Sequence, residues 1–399
     1  MSGAAQPTLV QNATLIGYDG LQQILINSAG QISAIQPAAV GAVPSTAIAT
    51  TAAPVDVAGD IVSLGGVDLQ INGALGLSFP ELNHTHSDTL AKICRYLWAE
   101  GVDAFLPTLV TTSLDNIHRA LEVIHNYIQQ PSEGASAQIL GLHLEGPFLN
   151  AAKRGAHPEA HLRPLTVPQI DAVLGDYGSV VKLMTLAPEL DPTGTVIPHL
   201  RSQGIVVSLG HSLATATEAQ AAYGQGATMV THAFNAMPPL HHREPGLLGA
   251  ALTAPGVACG LIADGRHICP MMLDLLLRAA RGGMSEPSDI TQNLFLVSDA
   301  LSPLGLPDGR YPWDTREIEV TDGTARLTDG TLAGTTRGLL AGAENLVAWG
   351  LCIPEEAIAL ATVAPRQAMG LPTLAVGQQT SLLRWRYDSS RRHLKAQRL

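Results

Sequence analysis

Between residues 61 and 300 the chain repeats one pattern: a short apolar run, a turn, then a stretch with helical spacing. The runs are "IVSLGGVDLQ" (61–70), "DAFLPTLVT" (103–111), "QILGLHLE" (138–145), "VVKLMTLAP" (180–188), "GIVVSLGH" (204–211), "ATMVTHA" (227–233), "VACGLIAD" (257–264) and "NLFLVSDA" (293–300). Between them lie helical patterns such as "SDTLAKICRYLWAEG", "SLDNIHRALEVIHNYIQQ" and "ATEAQAAYGQG". Strands that are apolar on both faces and alternate with helices pair in parallel, because each helix covers a sheet face. Eight such units predict an α/β fold of the (β/α)8 TIM type, which needs about 250 residues. An open doubly wound sheet is the alternative, but "GGVDLQING" is no dinucleotide-type glycine fingerprint.

Both chain ends read differently. "TLVQNATLIG" and "QQILINSAGQISAIQP" are β-rich, "AAVGAVPSTAIATTAAPVD" is a small-residue loop, and "TLAVGQQTSLLRWRYD" is β again. The ends are therefore expected to form one small β-sandwich domain, residues 1–62 with 372–399, beside a barrel spanning 63–371. "TREIEVTDGTARLTDGTLAG" reads as a hairpin with Asp-Gly turns, and "GLLAGAENLVAWG" and "PEEAIALATVAPRQAMG" as helices. The basic tail "RWRYDSSRRHLKAQRL" reads as a solvated terminal strand and its flank.

With 46% apolar and only 14% charged residues the chain carries a large core rather than disorder. A net charge of −11 with no long basic run argues against nucleic acid and anionic membrane as partners. Four cysteines without a C-x-x-C pair need no disulfide framework. Their usage makes a reducing cytoplasm the expected location, and no signal peptide or spanning segment is expected from the N-terminal stretch.

At or near their ends the eight runs carry, in order, Gln70, Thr108, Glu145, Pro188, His211, His232, Asp264 and Asp299. In a barrel these ends open on one face, where active sites lie. Alternation puts Gly141, His143 and Glu145 on one side of their strand, and groups His211 with Val207 and Leu209, and His232 with Val230; all are assigned to the barrel interior. Glu145, His211 and His232 are a carboxylate and two imidazoles, a common zinc shell that leaves one position open. Asp299 is the candidate acid/base across the mouth. His143, one layer deeper, is a structural or supporting residue. Taken singly, Glu145 before Gly146-Pro147 could cap a loop, Asp299 could cap a turn, and either histidine could be a rim residue.

At this point "GLHLEGPF", "LGHSLATATEA", "THAFNAMPPLHHREPGLLGA", "LIADGRHI" and "LVSDALSPLG", in this order, resemble N-acetylglucosamine-6-phosphate deacetylases of the amidohydrolase superfamily, over about residues 9–385. The resemblance implies a barrel with a β-sandwich from both ends, and removal of an acetyl group from the amide nitrogen of a phosphorylated amino sugar. It implies metal ligands at Glu145, His211 and His232 and an acid/base at Asp299. It puts substrate contacts at Gln70, Ala156, His157, Asn235, Ala236, Arg243, His267 and Leu339, the last in a stretch that departs from the family's serine-rich pattern. Arg243 is implied to reach the phosphate in a neighbouring subunit, hence a homodimer; its alternative is a surface pair with Glu244. For His267 the alternative is a rim histidine without a role. Gln70-Ile71-Asn72 fills the slot where many superfamily members carry His-x-His, and Lys182 lies early in its strand. One divalent cation is therefore expected, Zn²⁺ first, with Fe²⁺, Co²⁺ or Mn²⁺ also suited to the donor set. Gly66 stands where a bulkier family residue is expected, near the first strand's end. The alternatives in function are an amidohydrolase acting on another amide or a cyclic ureide, and a sugar-phosphate sensor without turnover.

Overall fold

The computed structural model describes residues 7–38, 53–130, 134–282, 290–379 and 381–399. Eight parallel strands form the barrel: Gly66–Ile71, Val102–Val110, Leu142–Glu145, Val181–Leu186, Val206–Leu209, Met229–Val230, Ala258–Leu261 and Leu294–Leu296. Each pairs with the next, as in His143 beside Thr108 and Thr185 beside Ser208. The ring closes where the Asp299 N–H donates to the Gln70 carbonyl at 2.8 Å and the Asn72 N–H to the Ala300 carbonyl at 2.7 Å.

The expected helices form for local reasons. Ser87–Ala99 buries Leu90, Ile93, Cys94 and Leu97, one stripe at helical spacing. Leu114–Ile128 starts where the Ser113 side chain accepts the Asn116 N–H, and Ala216–Gly224 starts on a Thr215–Glu218 capping box. Pro365 divides the last helical stretch into Pro354–Thr362 and Ala364–Ala368.

Several expectations are corrected. The run 61–70 is two strands: Ile61–Leu64 belongs to the sheet of the chain ends and Gly66–Ile71 to the barrel. Gly66 therefore begins the first barrel strand rather than ending it. A Cβ there would lie 2.7 Å from a Leu339 methyl and 3.2 Å from a Leu340 methyl, so a larger side chain would have to displace both. Both chain ends share one seven-stranded sheet around Val10, Ile24, Ile32, Val62 and Leu382. Much of the small-residue loop lies outside the described residues, but Ala53–Asp56 at its end is a strand, parallel to Thr8–Gln11. The hairpin after the eighth barrel strand is part of a four-stranded meander, Gly309–Trp313, Arg316–Thr321, Thr324–Leu327 and Leu332–Thr335. Asp322-Gly323 makes one of its turns, with both residues at positive φ. The basic tail is a hairpin, Leu382–Asp388 with His393–Arg398, and Arg398 is not solvated: it donates to Asp103 Oδ1 at 2.6 Å.

Candidate metal centre and reaction cavity

Inside the barrel the polar side chains form a layer beneath the mouth. His143 is buried, its Nδ1 3.0 Å from the Leu69 carbonyl and its Nε2 2.8 Å from Thr185 Oγ1. Thr185 Oγ1 continues to Thr231 Oγ1 at 2.6 Å, which meets Ser208 Oγ at 2.6 Å. Burial drives the His143 pKa down to about 4, so the ring is neutral and braces the third strand against the first and fourth.

This layer overturns part of the alternation argument. Ser208 and Thr231 share the interior network with Thr185 and His143, so Val207, Leu209 and Val230 face outward to the helices. His211 and His232 nevertheless reach the interior because both leave the strand with left-handed backbones, φ 49° and 29°. Asp299 does the same at φ 48°. Gly141 lies in the break between two short strand segments and does not share the face of His143 and Glu145. For His143 and Glu145 themselves alternation holds.

Above the layer, three groups converge. Glu145 Oε1 stands 3.0 Å from His211 Nε2 and 3.0 Å from His232 Nε2, and the two nitrogens are 3.0 Å apart. All three residues are buried. His211 Nδ1 lies 2.9 Å from the Lys153 carbonyl, so it carries the ring's proton and leaves a lone pair on Nε2. A carboxylate oxygen and an imidazole lone pair thus face each other at contact distance, which a cation between them would make favourable. The donor set, one carboxylate and two imidazoles, fits a divalent ion. Burial raises the Glu145 carboxyl, but His211 and His232 against Oε1 outweigh it and hold the group well below the usual range.

Asp299 faces this cluster. Burial first, then the Glu145 charge, push its carboxyl up to about 7. Two acids in one site are thereby driven apart, one firmly ionised and one able to exchange a proton near neutrality. Asn72 Nδ2 donates to Asp299 Oδ1 at 2.7 Å; Gln70 Nε2 reaches the same oxygen at 3.3 Å and Glu145 Oε1 at 3.1 Å.

A cavity of about 360 Å³ opens over these groups, lined by Glu145, His211, His232, Asp299, His157, His267, Ala156, Asn235 and Ala236 among others. His157 is fixed by its surroundings: the Thr111 N–H donates to Nδ1 at 3.2 Å, which leaves the proton on Nε2, 4.0 Å from Glu145 Oε1. Burial, then the neighbouring His211, lower its pKa to about 3, so it is a neutral donor. Asn235 Nδ2 donates to the His232 and Ala233 carbonyls at 3.1 Å each.

Three of the expected residues lie elsewhere. Gln70 is buried beneath the cavity and acts on Glu145 and Asp299 rather than on its space. Leu339 is buried against the position of Gly66 and does not line the cavity. Arg243 is exposed on the loop after His232, beside His241. The sequence reading gave no role to Asn72, which shares the Gln70 side of its strand by simple alternation. It gave none to Trp313 or Thr331, which reach the cavity from the meander and carry no local signal.

A closed (β/α)8 barrel with a carboxylate and two imidazoles meeting at its strand ends, opposite a second buried acid, is the architecture of a hydrolase of the amidohydrolase type, with a donor set suited to a divalent cation. No family model matches the chain. Among curated proteins, the bovine (Bos taurus) N-acetylglucosamine-6-phosphate deacetylase is 40% identical over 328 residues, 79% of this chain and 76% of the relative. An N-acetylgalactosamine-6-phosphate deacetylase of Escherichia coli O157:H7 is 34% identical over 321 residues, 79% of this chain and 81% of its own. The crystal structure of the Pasteurella multocida N-acetylglucosamine-6-phosphate deacetylase superposes with a TM-score of 0.82 at 28% identity, covering 97% of both chains. The chain belongs to the N-acetylglucosamine-6-phosphate deacetylase family.

Proposed function

We propose that the chain hydrolyses the acetamide of N-acetylglucosamine 6-phosphate, giving glucosamine 6-phosphate and acetate. The observation that carries this reading is the Glu145–His211–His232 convergence facing Asp299 within the family's barrel. Glu145, His211 and His232 would hold one divalent cation, Zn²⁺ first, with Fe²⁺, Co²⁺ and Mn²⁺ also compatible with one carboxylate and two imidazoles. When bound, that ion supplies Lewis acidity to the amide carbonyl and acidity to a water.

The chain's own residues do the rest. Asp299 takes a proton from the attacking water and passes it to the sugar nitrogen as the C–N bond breaks. Asn72 and Gln70 tie down Asp299 Oδ1, which leaves Oδ2 to carry that proton. The Nε2–H of His157 is a fixed donor for the oxygen that gains charge in the transition state. Asn235, Ala236 and His267 line the space for the sugar. Arg243 is exposed and does not line its own cavity, which supports a role in a neighbouring subunit's site and hence a homodimer.

The division into 1–62 with 372–399 and 63–371 is supported by the sheet that joins both chain ends. Among the described residues no helix is long and apolar enough to cross a membrane, and the four cysteines are free, which supports a reducing, cytoplasmic setting.

The test is acetate release from N-acetylglucosamine 6-phosphate, its unphosphorylated parent and N-acetylgalactosamine 6-phosphate, each with and without a chelator. The reading requires release from the first substrate that the chelator abolishes and added Zn²⁺ restores. Release from unphosphorylated sugar at equal kcat/KM would overturn the substrate assignment.

A further inference from the structure

Two histidines line the cavity without belonging to the metal cluster, and their surroundings fix opposite protonation patterns. His157 accepts a backbone N–H at Nδ1 and offers a proton at Nε2. His267 is the reverse. Its Nδ1 lies 2.7 Å from Asp264 Oδ2, and the other carboxylate oxygen of Asp264 accepts the N–H groups of Arg266 and His267 at 2.8 Å each. A carboxylate so occupied is an acceptor throughout, so Nδ1 of His267 carries a proton, and in the neutral ring Nε2 is then a lone pair.

The loop that makes this pair is built for it. Asp264 ends the seventh strand run, Gly265 turns at φ +74°, and a Cβ at Gly265 would lie 3.1 Å from the Trp349 ring. Asn345 Nδ2 holds the Ala263 carbonyl at 2.8 Å. Both side chains of the pair are nearly closed off from solvent, 5% exposed for His267 and 7% for Asp264. Among the described residues Nε2 has no hydrogen-bond partner, and His267 belongs to the cavity wall.

We propose that Asp264 is a positioning residue for the deacetylation: it fixes His267 as a hydrogen-bond acceptor at Nε2, so that His267 selects a sugar hydroxyl while His157 alone serves as the imidazole donor. The inference rests on the proposed reaction for its kinetic consequence, but not for its tautomer.

The experiment is ¹⁵N-histidine NMR of the metal-loaded protein, with kinetics of Asp264→Asn, His267→Gln and the double variant. The expected result is an Nδ1–H tautomer for His267, changed to Nε2–H in Asp264→Asn, whose amide can donate where the carboxylate accepted. Asp264→Asn is expected to lower kcat/KM about 10- to 100-fold, and to add nothing to the loss in His267→Gln. A proton on Nε2 in the parent protein, whether in the other tautomer or in the imidazolium, or losses that multiply in the double variant, would overturn the proposal. The parent spectrum decides the tautomer even if Asp264→Asn does not fold. Failure of the parent to release acetate would instead strike the proposed reaction, leaving the tautomer measurement to stand by itself.

Discussion

The two ends of the barrel use the same ingredients to opposite effect. At the base, Asp103 is matched by two guanidinium groups, Arg398 Nη1 at 2.6 Å and Arg366 Nη2 at 3.1 Å. It also accepts the Gly65 N–H at 2.7 Å, and Arg366 donates to the Gly65 and Thr362 carbonyls. Arg398 stacks on Trp98 with its guanidinium carbon 4.6 Å from the ring centre. The Asp103 charge is answered twice over, although Arg398 Nη2 is buried without a hydrogen-bond partner among the described residues, and the cluster ties the last strand of the chain to the first turn of the barrel. At the mouth, Glu145 Oε1 and the Nε2 atoms of His211 and His232 stand 3.0 Å from one another, and Asp299 adds a second acid. Three of those residues hold left-handed backbones, at a cost on the order of 1–3 kcal/mol each. The base is arranged to be stable as it stands, and the mouth is arranged to be completed by something else.

The contrast can be broken by experiment. The largest effect is expected at the mouth: Asp299→Asn should reduce acetate release by about 10³-fold, within the range for loss of a general acid–base. Metal content by atomic absorption should be unchanged. Substantial residual turnover would remove Asp299 from proton transfer and weaken the contrast.

At the base, Asp103→Ala leaves two largely buried guanidinium groups without their counter-ion and should cost on the order of 3 kcal/mol in denaturant unfolding. The kcat of that variant should remain near the parent value. A large fall in kcat at unchanged stability would show that the two ends are not separate in function.

The layer between the ends gives a pH prediction. The His143 imidazole has an ordinary value of 6.5, lowered by burial to about 4 in the folded chain. The unfolded chain therefore binds a proton below pH 6.5 that the folded chain refuses. The contribution of neutral His143 is fully present above pH 6.5 and is lost as the pH falls towards 4, about 2 kcal/mol between pH 6.5 and 5. His143→Gln should flatten that part of the stability–pH curve, and an unchanged slope would place the acid sensitivity elsewhere. The smallest effect is expected at the surface pair Arg278–Asp274, whose arginine is 74% exposed. Arg278→Ala should change stability by less than about 1 kcal/mol.

How much of this was legible before the structure differs from element to element. The strands were readable because runs such as "VVKLMTLAP" are apolar on both faces, a property of the residues themselves. The boundary at Gly65 was not, since "IVSL" and "GVDL" are equally good strands and only pairing assigns them to different sheets. Glu145 was readable from alternation with His143. His211 and His232 were found as residue types at strand ends, but the reason given for their direction was wrong. Ser208 and Thr231 hold the inward positions, and positive φ at each histidine brings the rings in. The Asp-Gly turn at 322–323 was readable as turn chemistry, whereas the meander's delivery of Trp313 to the cavity was not.

The sequence by itself determined the barrel, the donor types and their place at strand ends, because apolar patterning and turn residues act over a few neighbours. Only the tertiary structure decided which atoms meet. It set the tautomer of His157, the split between Glu145 and Asp299, and the anchoring of Arg398 on Asp103. Those depend on groups 46, 154 and 295 positions apart in the chain, whose hydrogen bonds and charges act only once folding has brought them together.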